Sequence, residues 1–127
     1  MERLLWVCLG SALGGGARYL VSQAAFSLLG PSFPYGTLVV NVVGSYLIGL
    51  IMHVGLNSTL ISPTLRIFLT TGVMGGLTTY STFNYETLRF AVEGDWHLGA
   101  LNMAATVVAC LGAGVLGLAT GQALITG

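Results

Sequence analysis

The fold is decided by the stretch Thr70-Thr71-Gly72-Val73-Met74-Gly75-Gly76-Leu77-Thr78-Thr79-Tyr80-Ser81-Thr82-Phe83. It holds three glycines, six Thr or Ser hydroxyls and two aromatics three positions apart, within a segment otherwise suited to a lipid bilayer. Glycine costs about 1 kcal/mol relative to alanine inside a helix, so the glycine run predicts a break. A break at membrane depth is tolerated where it is buried in protein or lines a wet cavity. We therefore expect an ion site, because freed carbonyls can hold a cation while hydroxyls and aromatic edges face an ion path.

The composition of the chain indicates a membrane protein of a single domain. Of its 127 residues, 54% are hydrophobic and 6% are charged, whereas about 25% are charged in a soluble domain. A spanning helix needs about 20 apolar residues, so the length suits four helices joined by short loops. The four arginines are the only basic residues besides histidine and the net charge is zero, which excludes the basic footprint of a nucleic-acid-binding protein.

Four apolar segments follow one another along the chain, at about 4–29, 37–56, 64–90 and 98–125. The first segment lacks a basic n-region and is too long for the apolar part of a signal peptide. We therefore expect it to escape cleavage and to form a membrane helix. The turns between segments are rich in Gly, Pro, Ser and Asn, as turn chemistry requires. The chain is thus predicted to be all-α, with the third helix broken in the membrane.

Several polar residues lie inside these apolar segments. Arg18 is about a dozen residues from either end of its segment, which favours a cavity-facing side chain over one that snorkels to the interface. Asn41 either bonds a neighbouring helix or donates to a passing anion, and its spacing alone favours the first. Glu86 and Arg89 are three apart and can pair on one helix face. Cys8 and Cys110 are predicted to be free, buried thiols rather than a disulfide or a metal pair.

Positive charge is nearly balanced between the two sides of the predicted bundle. Arg3 and Arg66 lie on one side, and Arg89 lies on the other with Arg18 deeper in the membrane. Orientation follows the Lys/Arg bias between loops, so this chain has little preference for either direction of insertion. We infer dual topology and an antiparallel homodimer, which would bring two copies of the break together around one cation.

At this point the motifs resemble those of the Fluc fluoride channels, small dual-topology fluoride exporters of microbes. The resemblance covers nearly the whole chain. It rests on Gly14 and Arg18, on Gly36-Thr37-Leu38-Val39-Val40-Asn41-Val42-Val43-Gly44, and on Gly75-Gly76-Leu77-Thr78-Thr79-Tyr80-Ser81-Thr82-Phe83 with Glu86.

The resemblance implies passive fluoride export through two pores in an antiparallel dimer of the cell (inner) membrane, with lipid as its surroundings. It implies that the backbone carbonyls of Gly75 and Thr78 from both subunits hold a structural sodium ion that is not transported. It also implies the set of residues along the fluoride path, namely Arg18, Asn41, Thr79, Tyr80, Ser81, Thr82, Phe83, Glu86, Asn102, Thr106 and Cys110.

Three positions depart from the family pattern. Tyr80 stands where the family usually has Phe, Cys110 replaces a hydroxyl, and Asn102 takes a place that is often aromatic. A thiol is a poorer donor than a hydroxyl. An aromatic ring is positive at its edge, so Phe83 and Tyr80 can meet fluoride edge-on, and the Tyr80 hydroxyl either donates to the ion or bonds a neighbour.

Two other functions compete with the channel. A small dual-topology multidrug transporter needs a carboxylate deep in the membrane for proton exchange, and Glu86 lies past the break while Glu2 is at the chain start. A non-conducting scaffold subunit would also have glycine-rich helices, since these pack for structural reasons. An enzyme is not expected, because His53 and His97 lie near segment ends with no carboxylate partner and no nucleophile–base pair is present.

Overall fold

The computed structural model describes residues 1–127 and is entirely helical. The helices, in chain order, are α1 (Glu2–Leu29), α2 (Tyr35–Asn57), α3 (Pro63–Ile67), a π-helical segment (Phe68–Met74), α4 (Gly75–Leu77), α5 (Tyr80–Val92) and α6 (Trp96–Thr126). Three of them, α1, α2 and α6, are long and apolar enough to cross a membrane. The predicted segments at 4–29, 37–56 and 98–125 correspond to these helices within a few residues.

The third segment is interrupted, as predicted, but the interruption is not at the glycines. Thr78 (φ −82°, ψ 155°) and Thr79 (φ −152°, ψ 117°) are extended and separate α4 from α5. Gly72, in the π-helical segment, and Gly75 and Gly76, in α4, all stay helical. The expectation that the glycine run itself breaks the helix is therefore wrong.

The glycines of the third segment serve instead to bring its backbone against α1. Gly72 and Gly10 are so close that a Cβ on Gly72 would lie 3.0 Å from the Gly10 Cα, and a Cβ on Gly76 would overlap the carbonyl oxygen of Ser11. Small residues at helix crossings allow this approach in membranes. The contact fixes where the break lies relative to α1.

Replacing Gly14 with Ala is expected to destabilise the folded chain by about 1–3 kcal/mol, the usual cost of overpacking. A Cβ at this position would overlap the backbone carbonyl of Val73. Gly15→Ala is the matched control, because a Cβ there meets nothing within 4 Å. Thermal unfolding in detergent measures both variants, and equal melting temperatures would contradict the close α1 contact.

Helices α2 and α6 pack along most of their length and hold the other side of the break. Gly49 approaches the Gly114 carbonyl, at 2.7 Å from an added Cβ, and the Tyr46 hydroxyl donates to Thr120 Oγ1 over 3.0 Å. Only 20 of the 127 residues are buried. The chain therefore exposes most of its apolar side chains, as a membrane protein does to lipid or to a second copy.

Candidate functional site

The break at Thr78–Thr79 leaves backbone amides at the start of α5 without helical partners. Side chains compensate for two of them. The Thr79 amide donates to Asn41 Oδ1 at 2.8 Å, and the Thr82 amide donates to Thr79 Oγ1 at 3.2 Å, which makes Thr79 the N-cap of α5. The amides of Tyr80 and Ser81 lie between these two, at the positive end of the α5 dipole. An anion would be stabilised at this end.

The same break frees carbonyls at the end of α4. In a continuous helix the Gly75 carbonyl would accept from Thr79 and the Thr78 carbonyl from Thr82, but both amides are engaged elsewhere. The Gly76 carbonyl accepts instead from Nε of Arg18 at 3.0 Å. Gly75 is exposed on the single chain. The carbonyls of Gly75 and Thr78 are thus left at the negative end of a helix, where a cation is stabilised.

Two threonine hydroxyls near these carbonyls have their hydrogens directed into the helix. Thr70 Oγ1 donates to the Arg66 carbonyl and Thr78 Oγ1 donates to the Met74 carbonyl, each at 2.8 Å. A hydroxyl that donates in this way still offers its oxygen lone pairs as acceptors. This part of the site is therefore rich in oxygen acceptors, which suit a hard cation such as sodium.

Asn41 forms a two-point contact with the backbone of Thr79. Besides accepting from the Thr79 amide, it donates from Nδ2 to the Thr79 carbonyl at 3.1 Å. The side chain is 9% exposed. Asn41 therefore bonds a neighbouring segment, as its spacing favoured, and its amide retains a second N–H. In this geometry Asn41 can bond the neighbouring segment and still donate its second N–H to a passing anion.

A groove of about 490 Å³ runs past the break between α2, the third segment and α6. We call it the central groove. It brings together eight of the residues singled out in the sequence: Asn41, Gly75, Thr78, Thr79, Tyr80, Phe83, Thr106 and Cys110. Donors, aromatic rings and freed carbonyls thus share one surface, although they come from three separate parts of the chain.

The two aromatic side chains of the groove contact each other edge to face. The ring centroids of Tyr80 and Phe83 are 5.8 Å apart with an angle of 66° between planes. Tyr80 is 79% exposed, and its hydroxyl has no hydrogen-bond partner within the chain. Thr106 and Cys110 line the opposite wall one helical turn apart. Cys8 and Cys110 are both free thiols, but the prediction that they are buried is wrong, since Cys8 is exposed and Cys110 is only partly buried.

A second cavity of about 360 Å³ lies beside the groove, between α1, the start of α2 and α5. Thr82, Glu86 and Arg89 line it, and Thr37 and Gln23 lie opposite. The Thr79 hydroxyl donates to Thr82 Oγ1 at 3.0 Å, which links a residue of the central groove to one of this cavity. A hydrogen-bonded pair of hydroxyls thus connects the two cavities.

Glu86 and Arg89 do not pair as predicted. Arg89 Nε lies 3.7 Å from a carboxylate oxygen of Glu93, one helical turn later. One oxygen of Glu86, Oε1, is buried without a hydrogen-bond partner. A spacing of four along α5 places Glu93 beside Arg89, so the expected i,i+3 pair gives way to an i,i+4 pair.

Three of the predicted path residues line neither the central groove nor the second cavity. The Asn102 amide is 2% exposed and donates to Thr87 Oγ1 at 2.9 Å, so it joins α6 to α5. Arg18 is directed at the carbonyl of Gly76. Ser81 is exposed, with its hydroxyl 3.4 Å from that of Thr79.

Sequence reasoning missed Thr37 and Gln23 as cavity-lining residues. Thr37 precedes Asn41 by one helical turn and therefore shares its face of α2. Gln23 lies in the second half of α1, one residue after Ser22, which also lines the cavity. A polar pair inside an apolar helix was the signal that could have indicated this second cavity.

Known proteins resemble this chain over its whole length. The family model described as CrcB-like protein, Camphor Resistance (CrcB), matches residues 5–118. A protein of Sorangium cellulosum (strain So ce56) called Fluoride-specific ion channel FluC is 51% identical over 127 residues, which is 100% of both chains. One of the same name from Anaeromyxobacter sp. (strain K) is 57% identical over 111 residues, covering 87% of this chain and 88% of that protein. A third, from Pelobacter propionicus, is 50% identical over 100% of this chain and 98% of its own.

Proposed function

The chain belongs to the CrcB-like family, and we propose that it is a fluoride-specific channel that passively exports cytoplasmic fluoride across the cell (inner) membrane. The observation that carries this proposal is the full-length identity to relatives named as fluoride-specific channels. Relief of fluoride toxicity is the role that such an activity would have. The central groove supplies a physical basis for it.

Fluoride would leave water for a set of weak donors along the central groove. The ring edges of Tyr80 and Phe83 carry partial positive charge, and the second N–H of the Asn41 amide is free to donate. The Thr106 hydroxyl and the positive end of α5 add further stabilisation. Together they replace a strong hydration shell by several modest contacts, which allows the ion to enter and also to leave. The second cavity, with Thr82 and Arg89, would act as the water-filled approach.

The residues at the break also suit a structural sodium ion. Half-helix ends and unwound carbonyls coordinate sodium in other membrane proteins, and the freed carbonyls of Gly75 and Thr78 have this chemistry. One chain offers two such oxygens, so a second copy would complete the shell. The ion would stabilise the joint between copies and would not be transported.

An antiparallel homodimer would close the central groove. In the single chain Gly75 and Tyr80 are exposed, although both are placed beside the break. A second chain inserted in the opposite direction would cover them and bring its own break alongside, giving two pores around one cation. The near balance of arginines between the two sides supports insertion in both directions.

The proposal is tested by reconstituting the purified chain in liposomes loaded with fluoride. An outward fluoride gradient should dissipate, as a fluoride electrode records, when potassium and valinomycin balance the charge. Efflux should be independent of a proton gradient. A flux driven by a proton gradient would favour a transporter instead. No fluoride efflux from liposomes that contain folded protein would indicate a scaffold subunit.

Sodium removal provides a separate prediction about the cation. Replacing sodium by N-methyl-D-glucamine, which is too large for a shell of carbonyls, should reduce the fraction of dimer in size-exclusion chromatography and lower fluoride efflux. The reason is that oxygen atoms of both copies would face each other without a charge between them. An unchanged dimer fraction and efflux in sodium-free buffer would argue against a cation at Gly75 and Thr78.

A further inference from the structure

Arg18 is a charged side chain in the apolar α1 helix, and its environment is unusual for a charge. It is partly buried, and its Nε donates to the carbonyl of Gly76 at 3.0 Å, across 58 positions of sequence. No carboxylate lies within ion-pair distance, since the one salt bridge of the chain joins Arg89 to Glu93. The counterpart of this guanidinium is therefore backbone rather than an acidic side chain.

The Gly76 carbonyl is available because of the break. In an unbroken helix it would accept from the Tyr80 amide, but the extended pair Thr78–Thr79 separates the two residues. The carbonyl belongs to the negative end of the helical run 63–77, where a cation is stabilised. The backbone of α1 lies close to Gly76, since an added Cβ would be 2.9 Å from the Gly15 amide nitrogen. This contact brings Arg18 within reach.

We propose that Arg18 is a positioning residue for the sodium site. By binding the Gly76 carbonyl it holds the end of α4 against α1, so that the neighbouring carbonyls of Gly75 and Thr78 are the ones left for the ion. The hydrogen bond from Nε carries this role, and the charge is secondary. The inference rests on the proposed function, since the cation site is part of it.

Side-chain length allows the hydrogen bond and the charge to be tested separately. Glutamine carries a nitrogen at the same position along the side chain as Nε of arginine, and it has no charge. Lysine has a carbon at that position and its charge one atom further on. Methionine has a carbon there and no charge. Arg18→Gln thus keeps the donor position without the charge, Arg18→Lys keeps the charge but moves the donor one atom further out, and Arg18→Met keeps neither.

The experiment measures thermal unfolding of each full-length variant in detergent while sodium chloride replaces N-methyl-D-glucamine chloride at constant ionic strength. The readout is the sodium concentration that gives half of the maximal stabilisation. Arg18→Gln should stay close to wild type. Arg18→Met and Arg18→Lys should need about tenfold more sodium, since the loss of one well-placed hydrogen bond is worth up to about that factor.

Three results would overturn the inference. They are a wild-type value for Arg18→Lys with a weakened Arg18→Gln, equal values for all variants, and a wild type whose stability does not respond to sodium. If Arg18→Met fails to fold, the comparison of Gln with Lys still decides. Fluoride efflux of the wild-type chain is measured in the same preparation, so that loss of the Arg18 inference can be distinguished from loss of the channel function.

Discussion

Replacing Phe83 with Ile should reduce fluoride efflux by at least about tenfold, which corresponds to about 1.4 kcal/mol of barrier, while the chain stays folded. The Phe83 ring lines the central groove and contacts Tyr80 edge to face. Isoleucine fills a similar apolar space but has no ring edge with positive character. Fluoride would then pass this point without compensation for the water it has lost. Electrode-recorded efflux from liposomes measures the effect.

Phe68→Ile is the matched control for this substitution. Phe68 is also half-buried and lies on the same segment, but its ring contacts Trp6 with centroids 5.7 Å apart, and it does not line the central groove. This variant should conduct at nearly the wild-type rate. Similar losses in both variants would indicate a general packing defect, and full efflux in Phe83→Ile would remove the aromatic ring from the path.

Asn41→Asp is expected to have a comparably large effect, again a loss of efflux of at least about tenfold. The carboxylate keeps an acceptor for the Thr79 amide but cannot donate to the Thr79 carbonyl, which now accepts from Asn41 Nδ2. Leaving a buried polar group unpaired costs about 1–3 kcal/mol. The new negative charge would also repel fluoride in the central groove. Efflux and melting temperature together separate the two contributions.

Asn102→Asp serves as the control for an added carboxylate. Asn102 is buried outside the central groove, and Thr87 Oγ1 can turn its hydrogen toward a carboxylate in its place. This variant should conduct far better than Asn41→Asp. Equal inhibition by both would mean that any buried charge stops conduction, and undiminished efflux in Asn41→Asp would exclude Asn41 from the pore.

Much of the architecture was predictable because the lipid bilayer restricts the backbone conformations that a membrane segment can adopt. Apolar runs of helical length predicted the helices, since every backbone group in a bilayer must be satisfied within the protein. An interruption of the third segment was predicted from its glycine run, although the break lies two residues further on, at Thr78 and Thr79. Thr106 and Cys110 are four residues apart, so helical spacing alone places them on one face of α6, and both line the central groove.

The predictions that were wrong concern features set by contacts between distant parts of the chain. Local propensity placed the break at the glycines, but Gly72 and Gly76 stay helical because their lack of a side chain is used for packing against α1. The extended conformation at Thr79 is stabilised by Asn41, 38 positions away. Asn102 shares the spacing of Thr106 yet pairs with Thr87 of α5. Such pairings are set by tertiary structure, which the pattern of one helix does not contain.

The most direct measurement is a side-by-side comparison of fluoride and chloride efflux from liposomes containing the wild-type chain. We expect rapid loss of fluoride and retention of chloride, because the narrow path between ring edges, an amide and hydroxyls suits a small anion and compensates for the lost hydration of fluoride alone. Equal efflux of the two halides, or no efflux of either from liposomes with folded protein, would contradict this expectation.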